Sequence, residues 1–470
     1  MTPHPRLSPL VLLTLSAACS VEAAGSPSVP RANRRSVLLV VVDTLRADHL
    51  GCYGYSRPTS PTLDAIAREG AVFERVVSSS SFTGPSVASI HTGRYPRFNS
   101  FGLANGSFLL APEEDTLAEA FAGAGYRTGA VICNPVLPAR YGFGQGFESY
   151  DERTGQRERV RSAPERTAGP GTDAALQWLE GLKADEDFFL WVHYMDPHGP
   201  YTPPADLEAA FAPEDPRAGV EIQPPAGKDK NYGLGYVPWY QAIGERHYLE
   251  EYIGRYDAEI ASFDREFARL VAWLREQGRY EETVILITAD HGEALGEEGF
   301  YFCHGQGVTP DQSFVPMILK HPLIQAGTRT KTPVGHVDVF PTLAAEVGVR
   351  SKGTGSGPEL DLVAAATETA GVRPLYCEIA GYLGVYLDHS LLVVQPGTDL
   401  SQPFDAVTGV PPLRFRRLGA PGLDVDLTTQ GTLLGYARAY LEGSGTAPQP
   451  VEGDHGDFHR VLHALGYTGD

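Results

Sequence analysis

The sequence lacks the features of a membrane-spanning, a nucleic-acid-binding or a thiolate metal-binding protein. Beyond the N-terminal segment, no apolar run is long enough to cross a bilayer. Its 38 basic side chains are outnumbered by 58 acidic ones, and the net charge of −20 argues against nucleic-acid partners and against anionic membranes. Four of the five cysteines show no metal-type spacing: Cys52, Cys133, Cys303 and Cys377. What remains is a 470-residue globular chain, long enough for a large core and a smaller appended unit.

The N-terminus has the layout of an export signal. A basic residue precedes a short apolar stretch, residues 10–18, which is too short for a transmembrane helix and fits a signal-peptide core. The small residues before Cys19 resemble a bacterial lipoprotein cleavage box, and cleavage after Ala23 is the non-lipidated alternative. We expect a signal peptide over residues 1–24 and a tether over residues 25–35. The expected location is the periplasm or the cell envelope, with possible membrane attachment through a lipidated Cys19.

Two apolar, β-branched runs far apart in the chain each end in an acidic residue. Residues 36–42 lead into Asp43, and residues 283–289 lead into Asp290 and His291. Runs of this kind are typical of buried parallel strands, and ligands of open α/β sheets bind where the carboxyl ends of such strands meet. One such Asp alone would be explained as a turn or helix cap. Two of them with an adjacent histidine predict a metal site at the edge of a sheet.

Residues 80–94 predict a loop that turns sharply into a helix. Thr83 stands just before Gly84 and Pro85, and an apolar run of small residues follows. A hydroxyl at this junction lies near the positive end of the helix dipole, where an anionic substrate is favoured. A Ser/Thr/Gly-rich turn that caps a helix is the structural alternative. Because a threonine hydroxyl is a poor nucleophile at neutral pH, a catalytic role for Thr83 requires a cation or a base beside it.

This segment resembles the nucleophile segment of the sulfatase family, within the alkaline phosphatase superfamily. In that family the reactive residue is followed by any residue, then Pro, then Ser or Ala, and usually Arg. Most members place Cys or Ser at the reactive position and oxidise it to formylglycine. This chain has Thr83, which cannot form that aldehyde, and Val87 in place of the Arg. It is similar instead to a threonine-dependent branch of the family.

The resemblance also implies a set of metal ligands. Asp43 matches the first metal-binding Asp of the family, and Asp290 with His291 matches its late metal-binding pair. Many members carry a second Asp where this chain has Thr44. The implied site therefore holds a single divalent ion through Asp43, Thr83, Asp290 and His291. Oxygen ligands with one imidazole suit Ca²⁺, Mn²⁺, Mg²⁺ or Zn²⁺, and the sequence does not choose among them.

Two further histidines match family positions. An apolar run enters a Pro-rich loop that carries His198, and the resemblance implies that His198 contacts the anionic group of the substrate. A loop histidine in solvent is the alternative. His304 matches the family's Lys or His that contacts the transferred group or the leaving oxygen. An imidazole there suits an acid that protonates a departing alkoxide.

The pattern of apolar strands and amphipathic helices predicts an α/β fold. We expect helices over residues 116–124 and 256–277, and a strand over residues 126–131 between them. This alternation favours a mainly parallel sheet with helices on both faces, as in alkaline phosphatase. The Pro- and Gly-rich residues 205–240 predict an insertion near the pocket, and a lid is one role for it.

The predicted domains are a sulfatase-like catalytic domain over residues 36–349 and a small C-terminal α+β subdomain over residues 350–470. The subdomain is expected to contain short strands near residues 385–387 and 391–395. No internal repeat is present.

The expected function is a metal-dependent hydrolase that cleaves a sulfate or phosphate ester through Thr83, with His304 and His198 as further catalytic residues. The substrate is an anionic ester of a small molecule, a glycan or a lipid. One alternative is a phosphoryl-group transferase at the cell envelope, of the phosphoethanolamine or glycerophosphate type. Another is a non-catalytic, lipid-anchored binding protein on the same fold.

Overall fold

The computed structural model describes residues 34–101, 108–157, 164–215, 217, 219–225, 233–244, 247–350, 360–367, 371–395, 413–418 and 425–443. The predicted signal peptide and most of the tether lie outside these ranges. Within them, no helix is both long and apolar enough to cross a membrane.

The described residues form eighteen strands and ten α-helices, besides short 3₁₀ turns. The strands in chain order are β1 (Ser36–Val42), β2 (Ala71–Phe73), β3 (Val76–Val77), β4 (Arg127–Ile132), β5 (Ser149–Asp151), β6 (Gln156–Arg157), β7 (Pro164–Glu165), β8 (Phe188–Tyr194), β9 (Thr283–Ala289), β10 (Ala294–Leu295), β11 (Tyr301–Cys303), β12 (Met317–Lys320), β13 (Thr328–Thr330), β14 (Val334–Gly335), β15 (Leu375–Ile379), β16 (Tyr382–Leu387), β17 (Ser390–Val394) and β18 (Leu413–Arg417). The helices are α1 (Pro61–Glu69), α2 (Thr83–Thr92), α3 (Leu117–Gly123), α4 (Ala168–Glu180), α5 (Ala205–Phe211), α6 (Leu249–Glu276), α7 (Pro310–Ser313), α8 (Val339–Ala345), α9 (Leu362–Thr367) and α10 (Leu427–Glu442).

The main sheet has eight strands in the order β13-β2-β12-β9-β1-β8-β4-β5. β1 lies in its middle and pairs in parallel with both β8 and β9, so that Val42 is level with Tyr194 on one side and with Ala289 on the other. The prediction of a mainly parallel α/β sheet is confirmed, with β12 antiparallel to β9. Because the last residues of β1, β8 and β9 share one edge, the segments that follow them meet there.

Both faces of this sheet are covered. Residues Val37 to Val42 of β1 are each at most 1% exposed, although successive side chains point to opposite faces. The helices pack in two groups: α4, α5 and α1 lie against α6, and α2 and α3 lie against α8. The predicted helix and strand around residue 125 are confirmed as α3 and β4.

Helix α6 begins earlier than the sequence pattern predicts. The expected start was residue 256, whereas the helix runs from Leu249 to Glu276 and buries Tyr252 in its first turns. Gly254 has a low helix propensity and therefore weakens the sequence signal for a helix there. In the structure this glycine allows a close contact between two helices. A Cβ atom at Gly254 would lie 2.5 Å from the carbonyl oxygen of Phe211 at the end of α5. The glycine therefore allows α5 to pack directly on the backbone of α6.

The C-terminal part forms a separate antiparallel sheet in the order β15-β16-β17-β18. The two predicted strands are confirmed as β16 and β17. Helix α10 packs on this sheet, and Tyr440 of α10 stacks on Tyr376 with ring centroids 4.2 Å apart. The same cluster includes Tyr95 and Phe98, which follow α2.

Candidate active site

Two carboxylates occupy the shared strand edge. Asp43 follows β1 and Asp290 follows β9, and both are fully buried. Asp43 Oδ2 accepts a hydrogen bond from the Asn134 side chain at 2.5 Å. Asp290 Oδ1 accepts from the backbone N–H groups of Thr44 at 3.2 Å and His291 at 2.8 Å. The second oxygens, Asp43 Oδ1 and Asp290 Oδ2, accept no hydrogen bond. Buried acceptors of this kind need a partner.

His291 points a ring nitrogen at these unpaired oxygens. Its Nδ1 lies 3.0 Å from the Gly292 carbonyl oxygen, which can only accept, so Nδ1 carries the proton and Nε2 offers a lone pair. Nε2 lies 3.7 Å from Asp43 Oδ1 and 3.5 Å from Asp290 Oδ2. It is also 3.2 Å from Thr83 Oγ1. The four predicted metal ligands are therefore brought together around one point.

His193, near the end of β8, joins the same cluster. It is fully buried, and its Nε2 lies 3.5 Å from Asp290 Oδ2. Asp43, His193 and Asp290 each offer a ligand atom within 4.8 Å of the others, which makes them a possible metal site. The sequence analysis passed over His193. The signal that could have found it is a histidine near the end of an otherwise apolar strand.

The donor set fits a divalent cation. Burial and the neighbouring charge of Asp290 raise the pKa of Asp43 well above its ordinary value. Burial lowers the pKa of His291 to about 4, so this ring is neutral at pH 7. No lysine or arginine of the described ranges pairs with either Asp43 or Asp290. Two carboxylate oxygens without donors, beside a neutral imidazole nitrogen, are the ligand types that divalent ions bind.

Thr83 is the first residue of helix α2, as the sequence predicts. The N-cap is Phe82, and all ten residues of the helix are buried, so its N-terminal end is fixed in the core. Gly84 permits this position, because a Cβ atom there would lie 2.5 Å from the ring of Phe101. The free N–H groups at this end of the helix favour an anion beside Thr83.

His304 and His198 complete the cluster of imidazole rings. The His304 centroid lies 4.4 Å from that of His291 and 5.1 Å from that of His198. His304 Nδ1 is 3.3 Å from Glu293 Oε1, a buried carboxylate that the sequence analysis missed. His198 Nδ1 donates to the Gly199 carbonyl at 2.7 Å. The structure thus brings all six predicted site residues into one cluster, and His198 is buried, which excludes the solvent alternative.

The insertion around residues 205–240 contacts this site where it is described. The Tyr301 N–H of β11 donates to the Gly233 carbonyl at 2.9 Å, and the Tyr240 hydroxyl donates to the Phe302 carbonyl at 3.5 Å. Since β11 leads directly to His304, the insertion contacts the strand that positions this histidine. A lid function for it stays a prediction.

Comparisons with known proteins agree with this geometry. A family model described as Sulfatase matches residues 35–349. The chain belongs to the sulfatase family. It is a sulfatase-type ester hydrolase within the alkaline phosphatase superfamily. Among curated relatives, it is 25% identical over 363 residues to the uncharacterized sulfatase YidJ of Escherichia coli K12, covering 66% of this chain and 67% of that protein. It is 23% identical over 456 residues to the N-acetylglucosamine-6-O-sulfatase of Bacteroides thetaiotaomicron, covering 81% and 79%.

Solved structures show the same fold. The phosphonate monoester hydrolase of Agrobacterium radiobacter superimposes with a TM-score of 0.64 at 19% identity, covering 87% of this chain and 95% of that one. A protein solved in complex with its substrate D-glucosamine-2-N,6-O-disulfate superimposes with a TM-score of 0.67 at 17% identity, covering 88% and 100%.

Proposed function

We propose that the chain is a metal-dependent hydrolase of an anionic sulfate or phosphate ester, with Thr83 as its nucleophile. The observation that carries this proposal is the position of Thr83 Oγ1. It lies 3.2 Å from His291 Nε2, beside two carboxylates that lack donors, at the N-terminal end of a buried helix. A hydroxyl, an acidic ligand set and an anion-favouring helix end meet at one point.

The metal centre would use Asp43, Asp290, His291 and Thr83, and His193 is a further donor within reach. One divalent ion, Ca²⁺, Mn²⁺, Mg²⁺ or Zn²⁺, fits this set. When bound, the ion would supply a lowered pKa for the hydroxyl and charge neutralisation for the anionic ester. Asn134, which donates to Asp43 Oδ2, orients the Asp43 carboxylate so that Oδ1 faces the centre.

Each of the chain's own site residues has a separate role in the reaction. Thr83 Oγ1 gives up its proton to solvent and forms a bond to sulfur or phosphorus as the bond to the ester oxygen breaks, and His304 later regains a proton from solvent. His304 gives its proton to the departing oxygen, and Glu293 at its Nδ1 orients the ring and stabilises its charged form. His198 contacts the oxygens of the anionic group. Water then displaces Thr83 from the covalent ester and regenerates the hydroxyl.

The chemistry of a threonine nucleophile favours a phosphate ester as the substrate, whereas membership of the sulfatase family favours a sulfate ester. A formylglycine sulfate ester can collapse by eliminating sulfate from its geminal hydroxyl. A threonine ester has no such hydroxyl and must be displaced in line, a route that phosphoryl groups accept readily. A side-by-side assay on an aryl sulfate, a phosphate monoester, a phosphate diester and a phosphonate ester separates the two. Added alcohol acceptors in the same assay would reveal transfer instead of hydrolysis.

Substitution of Thr83 tests the nucleophile. Thr83→Ala should lower turnover by about 10⁴-fold or more, because the bond-forming oxygen is gone. Thr83→Ser keeps the oxygen and should lose only about tenfold, since the missing methyl fixes the side-chain rotamer. Ser89→Ala is the matched control, because it removes a buried hydroxyl of the same helix that only bonds to Pro85 at 3.0 Å. Near-native turnover by Thr83→Ala would refute the proposal.

A further inference from the structure

Thr44, the residue after Asp43, has an unusual backbone. Its φ is 54°, in the left-handed region that β-branched residues avoid. The residue is fully buried. A threonine stays in this conformation only where its surroundings hold it.

Tyr256 of helix α6 stabilises this backbone conformation. Its hydroxyl donates to the Thr44 carbonyl oxygen at 2.7 Å and accepts from the Arg46 N–H at 3.0 Å. The phenol is fully buried, and its ring packs against His49 and Tyr201 with centroids 5.1 and 5.6 Å away. One hydroxyl therefore bonds to the backbone on both sides of Leu45 and fixes the path of the chain after β1.

This fixed turn determines which oxygen of Asp290 is available. The Thr44 N–H donates to Asp290 Oδ1 at 3.2 Å, and the His291 N–H donates to the same oxygen at 2.8 Å. With Oδ1 occupied, Oδ2 is turned to His193 and His291, whose Nε2 atoms each lie 3.5 Å away. A different backbone at Thr44 would remove one of the two donors and free the carboxylate to rotate.

We propose that Tyr256 is a positioning residue of the metal centre, which acts through the backbone of Thr44 on the Asp290 carboxylate. The inference rests on the proposed function, since it presumes that Asp290 Oδ2 binds a cation. It predicts that a hydroxyl on helix α6, remote in sequence from every ligand, sets the affinity for the metal.

The test is the binding of Mn²⁺ to the chelator-treated full chain, measured by titration calorimetry. Tyr256→Phe should bind Mn²⁺ about tenfold more weakly, as expected for the loss of one oriented hydrogen bond. The matched control is Tyr252→Phe, one turn earlier in α6, whose hydroxyl accepts from the Ile243 N–H at 3.2 Å. Both variants lose a buried hydroxyl and some thermal stability, but Tyr252→Phe should keep the affinity of the parent.

A rescue experiment separates positioning from general damage. Glycine adopts the left-handed region without strain, so Thr44→Gly should tolerate the loss of the phenol. The double variant Tyr256→Phe with Thr44→Gly should bind Mn²⁺ within about threefold of Thr44→Gly alone, a smaller loss than the tenfold expected in the parent background. Equal Mn²⁺ affinity of parent and Tyr256→Phe would overturn the proposal, as would equal losses in Tyr252→Phe. A parent chain that binds no Mn²⁺ would refute it together with the metal centre, whereas turnover of Thr83→Ala tests the nucleophile separately.

Discussion

The loop that carries His198 is held by a pair of buried acids, and this pair makes stability depend on pH. Asp196 follows β8, Glu259 lies on α6, and each is 6% exposed. Glu259 accepts from the Thr202 N–H at 2.6 Å. Burial raises the pKa of Asp196 to about 6, and burial together with the Asp196 charge raises the pKa of Glu259 well above its ordinary value. The folded protein therefore holds protons here that the unfolded chain has released.

The size of the effect follows from the pKa of Asp196. A rise from 3.8 to about 6 corresponds to about 3 kcal/mol of unfolding free energy. This contribution is complete below the ordinary pKa and is lost as the pH rises through about 6, because the folded state then has to ionise a buried group. Asp196→Asn keeps the shape and cannot ionise. About half of this contribution has already been lost at pH 5, so the stability of Asp196→Asn relative to the parent should increase by about 1.4 kcal/mol between pH 5 and pH 8.

Urea denaturation of both proteins at pH 5, 6, 7 and 8 measures this difference, since the titrating groups other than Glu259, whose pKa depends on the Asp196 charge, cancel in the comparison. Asp206→Asn is the control. Asp206 is exposed and pairs with Arg265 at 2.8 Å, and the hydrogen bond from Arg265 lowers the pKa of Asp206, so this variant should gain nothing as the pH rises. A difference between Asp196→Asn and parent that stays constant within about 0.5 kcal/mol over this range would refute the reasoning.

Three further outcomes are expected. Chelation should abolish turnover, one equivalent of a divalent ion should restore it, and elemental analysis should find at most one ion per chain; two tightly bound ions would contradict the site. His304→Gln should slow alkyl esters by about 10²-fold or more while affecting nitrophenyl esters little, and equal losses on both would remove its role as an acid. Intact-mass measurement of protein made in a bacterial host should find a lipid-modified Cys19 or an N-terminus after Ala23, and a chain that retains Met1 would argue against export.

The meeting of Asp43 and Asp290 could be predicted from the sequence because it depends on one simple property of parallel strands. Each acid follows a run of apolar residues that must be buried on both faces, and such strands deliver their last residues to the same edge. The family pattern then added Thr83, His198 and His304, whose separation along the chain hides their contact. The order of the strands in the sheet could not be predicted from the sequence. The prediction of the site does not depend on that order, because it requires only that the strands are parallel.

Among the supporting residues, His193 left one signal, a histidine near the end of an apolar strand, and the others could not be predicted for a physical reason. His193 belongs to the apolar strand β8. The sequence of a strand shows which side chains share a face of the sheet, but not which residues of other segments lie next to them. Glu293 and Asn134 act through single hydrogen bonds, to His304 and Asp43, that depend on how loops return to the edge. Tyr256 reads as one more apolar position of an amphipathic helix. Each role is defined by one contact across the fold, and such contacts leave no periodic trace in a sequence.

Two departures from the sulfatase pattern bear on whether this site works. Thr44 stands where many members have a second Asp, and Val87, one turn along α2 from Thr83, stands where most have an Arg. Both residues are fully buried, where an isolated charge would be strongly unfavourable. Relative to the pattern, the chain has one negative and one positive charge fewer. The remaining carboxylates, Asp43 and Asp290, carry the two charges that a divalent ion matches. Because Asp43, Asp290 and His291 are all present and meet at one point, the geometry favours an active centre over a remnant on the same fold.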